Sequence, residues 1–128
     1  MHSAHSQTIL ADDYRGSKVS FSAELSGAHC DKAAIWMRVD SAEKGKWLRF
    51  DNLIDRAGPG PLTGSFGWTE RTIVLEVPDA ATRILCGVML IGVGTLRARN
   101  IEFGVADRDA VPTDYPRRPD GPGDGAFA

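Results

Sequence analysis

Asp51 and Asp55 stand four residues apart in the segment LRFDNLIDR, with Asn52 between them and Arg56 at its end. Two carboxylates so placed can divide acid and base roles when burial splits their pKa values. The plainer role is an ion pair with Arg56 or Arg38 that pins a loop, and structural pairs of this kind are the commoner arrangement. A second constellation lies just upstream, in AIWMRVD. Read as a strand, it puts Ile35, Met37 and Val39 on one face and Trp36, Arg38 and Asp40 on the other. An indole beside a guanidinium and a carboxylate suits a ligand better than bulk water. The ring can stack on a sugar or an aromatic group, and the planar fork can clamp a carboxylate or enolate. The alternatives are a half-buried strand tryptophan and an arginine partnered by Asp40 or Asp51; a clamp and an ion pair can coexist.

Other reactive side chains carry weaker signals. His5 shares a strand face with Gln7 if residues 3–11 are extended, and an imidazole there would titrate near neutral pH; a frayed terminal histidine is the commoner case. Trp68 follows Gly67 and has the same ambiguity as Trp36 with less support. His29 adjoins Cys30, but sequence neighbours on a loop seldom have thiol–imidazole geometry. His2, His5 and His29 form no spaced ligand set, and no acidic loop has calcium-site spacing, so neither a metal nor another cofactor is expected. GVGT at 92–95 resembles a phosphate loop superficially, but it joins two strands and reads as a hairpin turn.

The elements that must position these residues are strands. Lys18–Leu25 alternates Val19, Phe21, Ala23 and Leu25 against Lys18, Ser20, Ser22 and Glu24, the pattern of a half-buried strand. Residues 34–40 and 47–52 follow as a hairpin around SAEKGK. RAGPGPLTGSFG, residues 56–67, holds four glycines and two prolines and reads as a loop. Residues 70–77, 84–91 and 95–105 complete the series, and a short strand near residues 7–11 opens it. Only residues 78–82 and 107–111 have room for a helical turn. The domain is expected to span residues 1–111, with 112–128 a disordered tail rich in Pro, Gly and Asp. Six to eight short strands imply an all-β protein, an antiparallel two-sheet sandwich or jelly roll.

Composition narrows the partners. The chain has 128 residues, 42% apolar and 25% charged, with a formal net charge of −2. This is one soluble-type domain with no electrostatic case for nucleic acid or an anionic membrane. No apolar run reaches the roughly eighteen residues of a membrane span, and MHSAHSQTIL lacks the features of a signal peptide, so the expected location is cytoplasmic. Cys30 and Cys86 read as two free thiols, Cys86 buried and Cys30 in an exposed loop.

The strand at 84–91 is apolar on both faces. With Ile84, Cys86, Val88 and Leu90 in the core, Leu85, Gly87, Met89 and Ile91 point the other way. That second face is either the floor of a ligand groove or a subunit interface. Beside the Trp36 strand, Leu85 and Met89 would supply the apolar floor for a ligand held by polar groups.

The segments ADDYRGSKVSFSAEL, IWMRVD, LRFDNLIDR, GWTERTIVLEVPDAA and CGVMLIGVGTLRARNIEFGVADRDAVPT, in this order, resemble a galactose-binding-like jelly-roll domain. Domains of that type occur behind the helix-turn-helix region of AraC-type transcription regulators and also alone. The resemblance covers residues 7–113 and implies a carbohydrate-binding-module-like sandwich that binds a sugar or other small molecule. Members usually carry one or two further strands upstream; a chain without them leaves an open edge, and a homodimer is the expected repair. The reading is therefore a small-molecule-binding jelly roll whose ligand contacts Trp36, Arg38, Asp40, Asn52, Arg56, Trp68, Leu85 and Met89. The alternative is a small cofactor-independent cyclase, isomerase or hydratase using Asp51, Asp55 and His5 with Arg38.

Overall fold

The alternation that begins at Lys18 does not stop at the Gly27–His29 segment. In the computed structural model, which describes residues 2–43, 46–54 and 60–114, it runs on to Ser41 as one strand. The strands are β1 (His2–Leu10), β2 (Lys18–Ser41), β3 (Trp47–Asp51), β4 (Leu62–Glu76), β5 (Ala81–Ile91) and β6 (Thr95–Val105). All pairings are antiparallel. The protein is all-β: the described residues contain no helix, and none long and apolar enough to cross a membrane. At 78–81 and 107–110 the chain makes single turns closed by Ala81 N to Pro78 O and Ala110 N to Asp107 O, each 3.0 Å.

At 24 residues β2 is far longer than the ~3–10 usual for a strand. It manages this by serving two sets of neighbours. Residues 19–28 pair with β6 on one side, and β4 runs along the other. Residues 32–41 pair with β5, which continues to β1, while residues 37–40 pair with β3. Between the two halves the β4 register shifts at Leu25/Gly27, Gly27/Cys30 and Cys30/Ala33. Such irregularities bend a strand and increase its twist. The expected loop at 27–29 is therefore a run of bulges inside a strand, with His29 at φ 55°. Separate strands at 18–25 and 34–40 were the sequence expectation; the bulges absorb the glycine and hold the ladder together.

One core serves both halves. Val19, Phe21, Ala23 and Leu25 come from the first half of β2, and Ile35, Met37 and Val39 from the second. All seven are at most 1% exposed. Ile73, Leu75, Ile84 and Cys86 close the same cluster. Full burial of each large aliphatic or aromatic side chain contributes about 1.5–3 kcal/mol. Phe21, Cys86 and Val88 line one cavity, so the inner face of the first half meets that of β5.

Three further expectations change. β1 is longer than expected, beginning at His2. The glycine-rich segment is not a loop throughout, because β4 begins at Leu62 and Gly64 (φ 74°) pairs with Cys30. A residue without Cβ meets that backbone angle without strain, so glycine here prolongs the ladder instead of ending it. Cys30 is buried, not exposed. Its Sγ lies 3.2 Å from Thr95 O, a weak S–H donor bond to a carbonyl. Both cysteines are free. Thr113 still belongs to the fold, its N–H donating to Val74 O at 2.8 Å. The rest of the expected tail, from residue 115, lies outside the described residues.

Candidate functional site

Cross-strand partners share a face, so the register decides which predicted residues can meet. Ile35, Met37 and Val39 pair with Val88, Cys86 and Ile84 on the core side. On the other side Trp36 pairs with Gly87, Arg38 with Leu85, and Ala34 with Met89. The second face of β5 is therefore the same surface as the Trp36–Arg38–Asp40 face of β2. Phe50 joins it from β3, opposite Arg38. Trp36, Leu85 and Met89 are all half-buried there.

Arg38 reaches along its own strand to Asp40. Nε lies 2.7 Å from Oδ1 and Nη2 lies 3.0 Å from Oδ2, a forked pair between residues two apart. The period of the strand makes this possible, since positions i and i+2 project together. Asp40 is only 8% exposed, and its carboxylate is held in place by this guanidinium. Both residues line a cavity of about 180 Å³. Arg83 and Trp47 also line it; both are register partners of Asp40, on β5 and β3 respectively. Ser41, Glu43 and Lys46 complete it from the β2–β3 hairpin. Trp47 tilts against Phe50 with ring centroids 6.3 Å apart, which orders the indole at the cavity wall.

The cavity thus contains two of the predicted residues, Arg38 and Asp40. Trp36, Leu85 and Met89 extend the same face beyond it. Asp51 and Asn52 do something else. Asp51 pairs with Met37 on the core side of β3, is buried, and accepts the Leu53 N–H at 3.0 Å through Oδ1. Asn52 Oδ1 accepts the Ile54 N–H at 3.0 Å. These are local turn-forming bonds, in which a short polar side chain satisfies the backbone two residues on. They support Leu53 at φ 60°. Asp55 and Arg56 lie outside the described residues. His5 pairs with Val88, out of phase with the Trp36–Gly87 pair.

Trp68 is elsewhere, on β4, just past the stretch at 56–67 that the sequence reads as a loop. Arg99 stacks over its ring at 4.0 Å. Arg99 Nε also donates to Glu24 Oε1 at 2.8 Å, and Asn100 Nδ2 donates to the same oxygen at 2.6 Å. The hydrogen bonds from Arg99 and then Asn100 lower the Glu24 pKa. Trp68 is thereby tied to the β4–β2–β6 half of the fold and does not join Trp36.

Sequence reasoning missed Arg83, Lys46, Trp47 and Glu43. Trp47 and Lys46 were within reach of a hairpin argument, since Trp47 opens the return strand opposite Asp40 and Lys46 immediately precedes it. Arg83 had no local signal, because it precedes an apolar run and meets Asp40 only through the long-range register. Among the described residues no group of three or more His, Cys, Asp or Glu side chains gathers to hold a metal.

This geometry defines an antiparallel all-β domain with a polar cavity at the end of a partly apolar sheet face. No family model matches the chain. It is 35% identical over 108 residues to an uncharacterized HTH-type transcriptional regulator, YbfP, of Bacillus subtilis (strain 168). The match takes in 84% of this chain and 35% of that protein, so the chain spans about a third of the relative's length. Among solved structures it is similar to the enzymatically active domain of tailspike protein 4 from bacteriophage CBA120. The TM-score is 0.54 at 15% identity, over 82% of this chain and 14% of that one. At that identity the likeness concerns the fold.

Proposed function

We propose that the chain is a small-molecule-binding domain of the galactose-binding-like jelly-roll type, which holds a sugar or partly apolar metabolite on the β1–β5–β2–β3 face. The observation that carries this reading is the register. It sets Trp36, Arg38 and Asp40 beside Leu85 and Met89 on one surface, with a cavity at its charged end. A partly apolar floor with a few placed polar groups is the usual make-up of a ligand site. The similarity to a helix-turn-helix regulator supports a sensing role, in which ligand occupancy is the signal. The acid–base alternative is the weaker one, because Asp51 is engaged in a turn on the core side and His5 is out of phase with the Trp36 face. A homodimer belongs to the same reading. The β6 strand, which among the described residues pairs with β2 alone, exposes Ile101 and Val105, apolar surface that a second copy would cover.

Native mass spectrometry of the protein incubated with a cell metabolite extract tests the reading. The expected result is retention of a small molecule, chemically unchanged, by the wild type and its loss from Trp36→Ala at an unchanged melting temperature. Retention undiminished by Trp36→Ala, or release of an altered compound, overturns it. The same spectra report the mass of the assembly.

A further inference from the structure

We infer, resting on the binding reading above, that the occupant of the Arg38–Asp40 cavity is a monosaccharide carrying one carboxylate, and that Arg83 selects it. The charge inventory of the cavity makes the case. Among the described residues that line it, Arg38, Lys46 and Arg83 stand with Asp40 and Glu43, three cations against two carboxylates. Arg38 is committed to Asp40 through both arms of its fork. Lys46 Nζ lies 3.4 Å from Glu43 Oε2. Arg83 makes no side-chain hydrogen bond or ion pair among the described residues, although Asp40 is its direct cross-strand partner. The acidic group that could have paired with it is already turned to Arg38. Among the described residues one positive charge is therefore left at the cavity, on the side chain best shaped to grip a carboxylate with two parallel bonds.

A surplus of one charge matches a monoanion. A phosphate monoester, carrying close to two charges at neutral pH, would leave the site negative. The rest of the cavity suits a sugar ring. Trp47 offers a flat apolar wall across Asp40 from Arg83, and pyranose faces stack on such surfaces. An ionised carboxylate has about four acceptor sites, and Arg38 occupies two of those on Asp40, so the others can accept ligand hydroxyl protons. The volume of about 180 Å³ is below the ~300–1,000 Å³ of sites for drug-sized molecules, which limits the occupant to about one ring.

Isothermal titration of the full chain with galacturonate, glucuronate, galactose and galactose 6-phosphate tests this. The expected result is a uronate bound at least about tenfold tighter than galactose and galactose 6-phosphate, as a charge-assisted pair predicts. In Arg83→Gln that preference is expected to vanish, with an unchanged melting temperature. Arg83→Lys should restore part of it, because the charge returns without the fork. Galactose bound as tightly as the uronates overturns the acid proposal while leaving the binding reading intact, as does galactose 6-phosphate bound more tightly. A uronate preference that survives Arg83→Gln removes Arg83 from the role. Failure of all four to bind also overturns the proposal, and the retention experiment on Trp36→Ala then decides the broader reading separately.

Discussion

Arg38 and Asp40 lie two residues apart on β2 and clasp one another through two bonds of 2.7 and 3.0 Å. Strand periodicity brings them to one face, and the surrounding sheet leaves Asp40 8% exposed. The pair is thus a fixed piece of the cavity wall.

Arg38→Ala is expected to destabilise the fold by about 1–2 kcal/mol, much of it from stranding the Asp40 carboxylate in a mostly buried position. The Arg38 side chain is 39% exposed, so screening limits the direct coupling to about 0.5–1 kcal/mol. A urea-unfolding cycle with Arg38→Ala, Asp40→Ala and the double variant measures it. Additive single effects would show that the two side chains do not support one another.

Gly94→Ala is expected to cost about 1–3 kcal/mol. Gly94 has φ 136°, and a Cβ there would stand 2.6 Å from Cys30 Cα and 2.8 Å from His29 O. The turn is closed by Asp31 N to Val93 O at 2.9 Å and by Val93 N to Asp31 Oδ2 at 3.0 Å. Thermal unfolding of the alanine variant checks the cost. An unchanged melting point would mean that the bulged segment opposite can move aside.

The Cys86 thiol is expected to be inert in the folded protein. Burial in the core pushes its pKa up to about 11, so little of the nucleophilic thiolate exists near neutral pH. A thiol-labelling time course before and after adding urea measures this. Cys86 should label only when the chain unfolds, and rapid native labelling at this site would contradict the burial of the strand.

Glu24 links stability to acid. Its folded pKa is lowered by hydrogen bonds from Arg99 and Asn100, so its contribution is present above the ordinary glutamate range. That contribution is lost as pH falls through the depressed folded value. Glu24→Gln should therefore be less stable than wild type at neutral pH and should converge with it in acid. Melting temperatures measured from about pH 7 to about pH 3 test the convergence. A constant difference across that range would assign the effect to shape alone.

Much of the strand content was legible because period two is a local property. Val19, Phe21, Ala23 and Leu25 announce their face without reference to anything distant. The same alternation set Trp36, Arg38 and Asp40 together on one side of β2. Gly64 was misread because glycine ends most strands, yet here its positive φ is what lets β4 start early beside Cys30. The sequence left the roles of Asp51 and Asn52 open, because a carboxylate or amide that closes a turn has the same sequence appearance as one that faces a ligand.

By itself the sequence determined the all-β class, the buried side of most strands and the chemistry carried by residues 36–40. These follow from side-chain alternation and from the few residue types compatible with each face. Only the tertiary structure decided that residues 18–41 are one bulged strand and that Trp68 lies with Arg99 and not with Trp36. It alone brought Arg83 to Asp40. The reason is register: which residue stands opposite which, across tens of positions, depends on bulges and on the closing of a shared core. No local period encodes either.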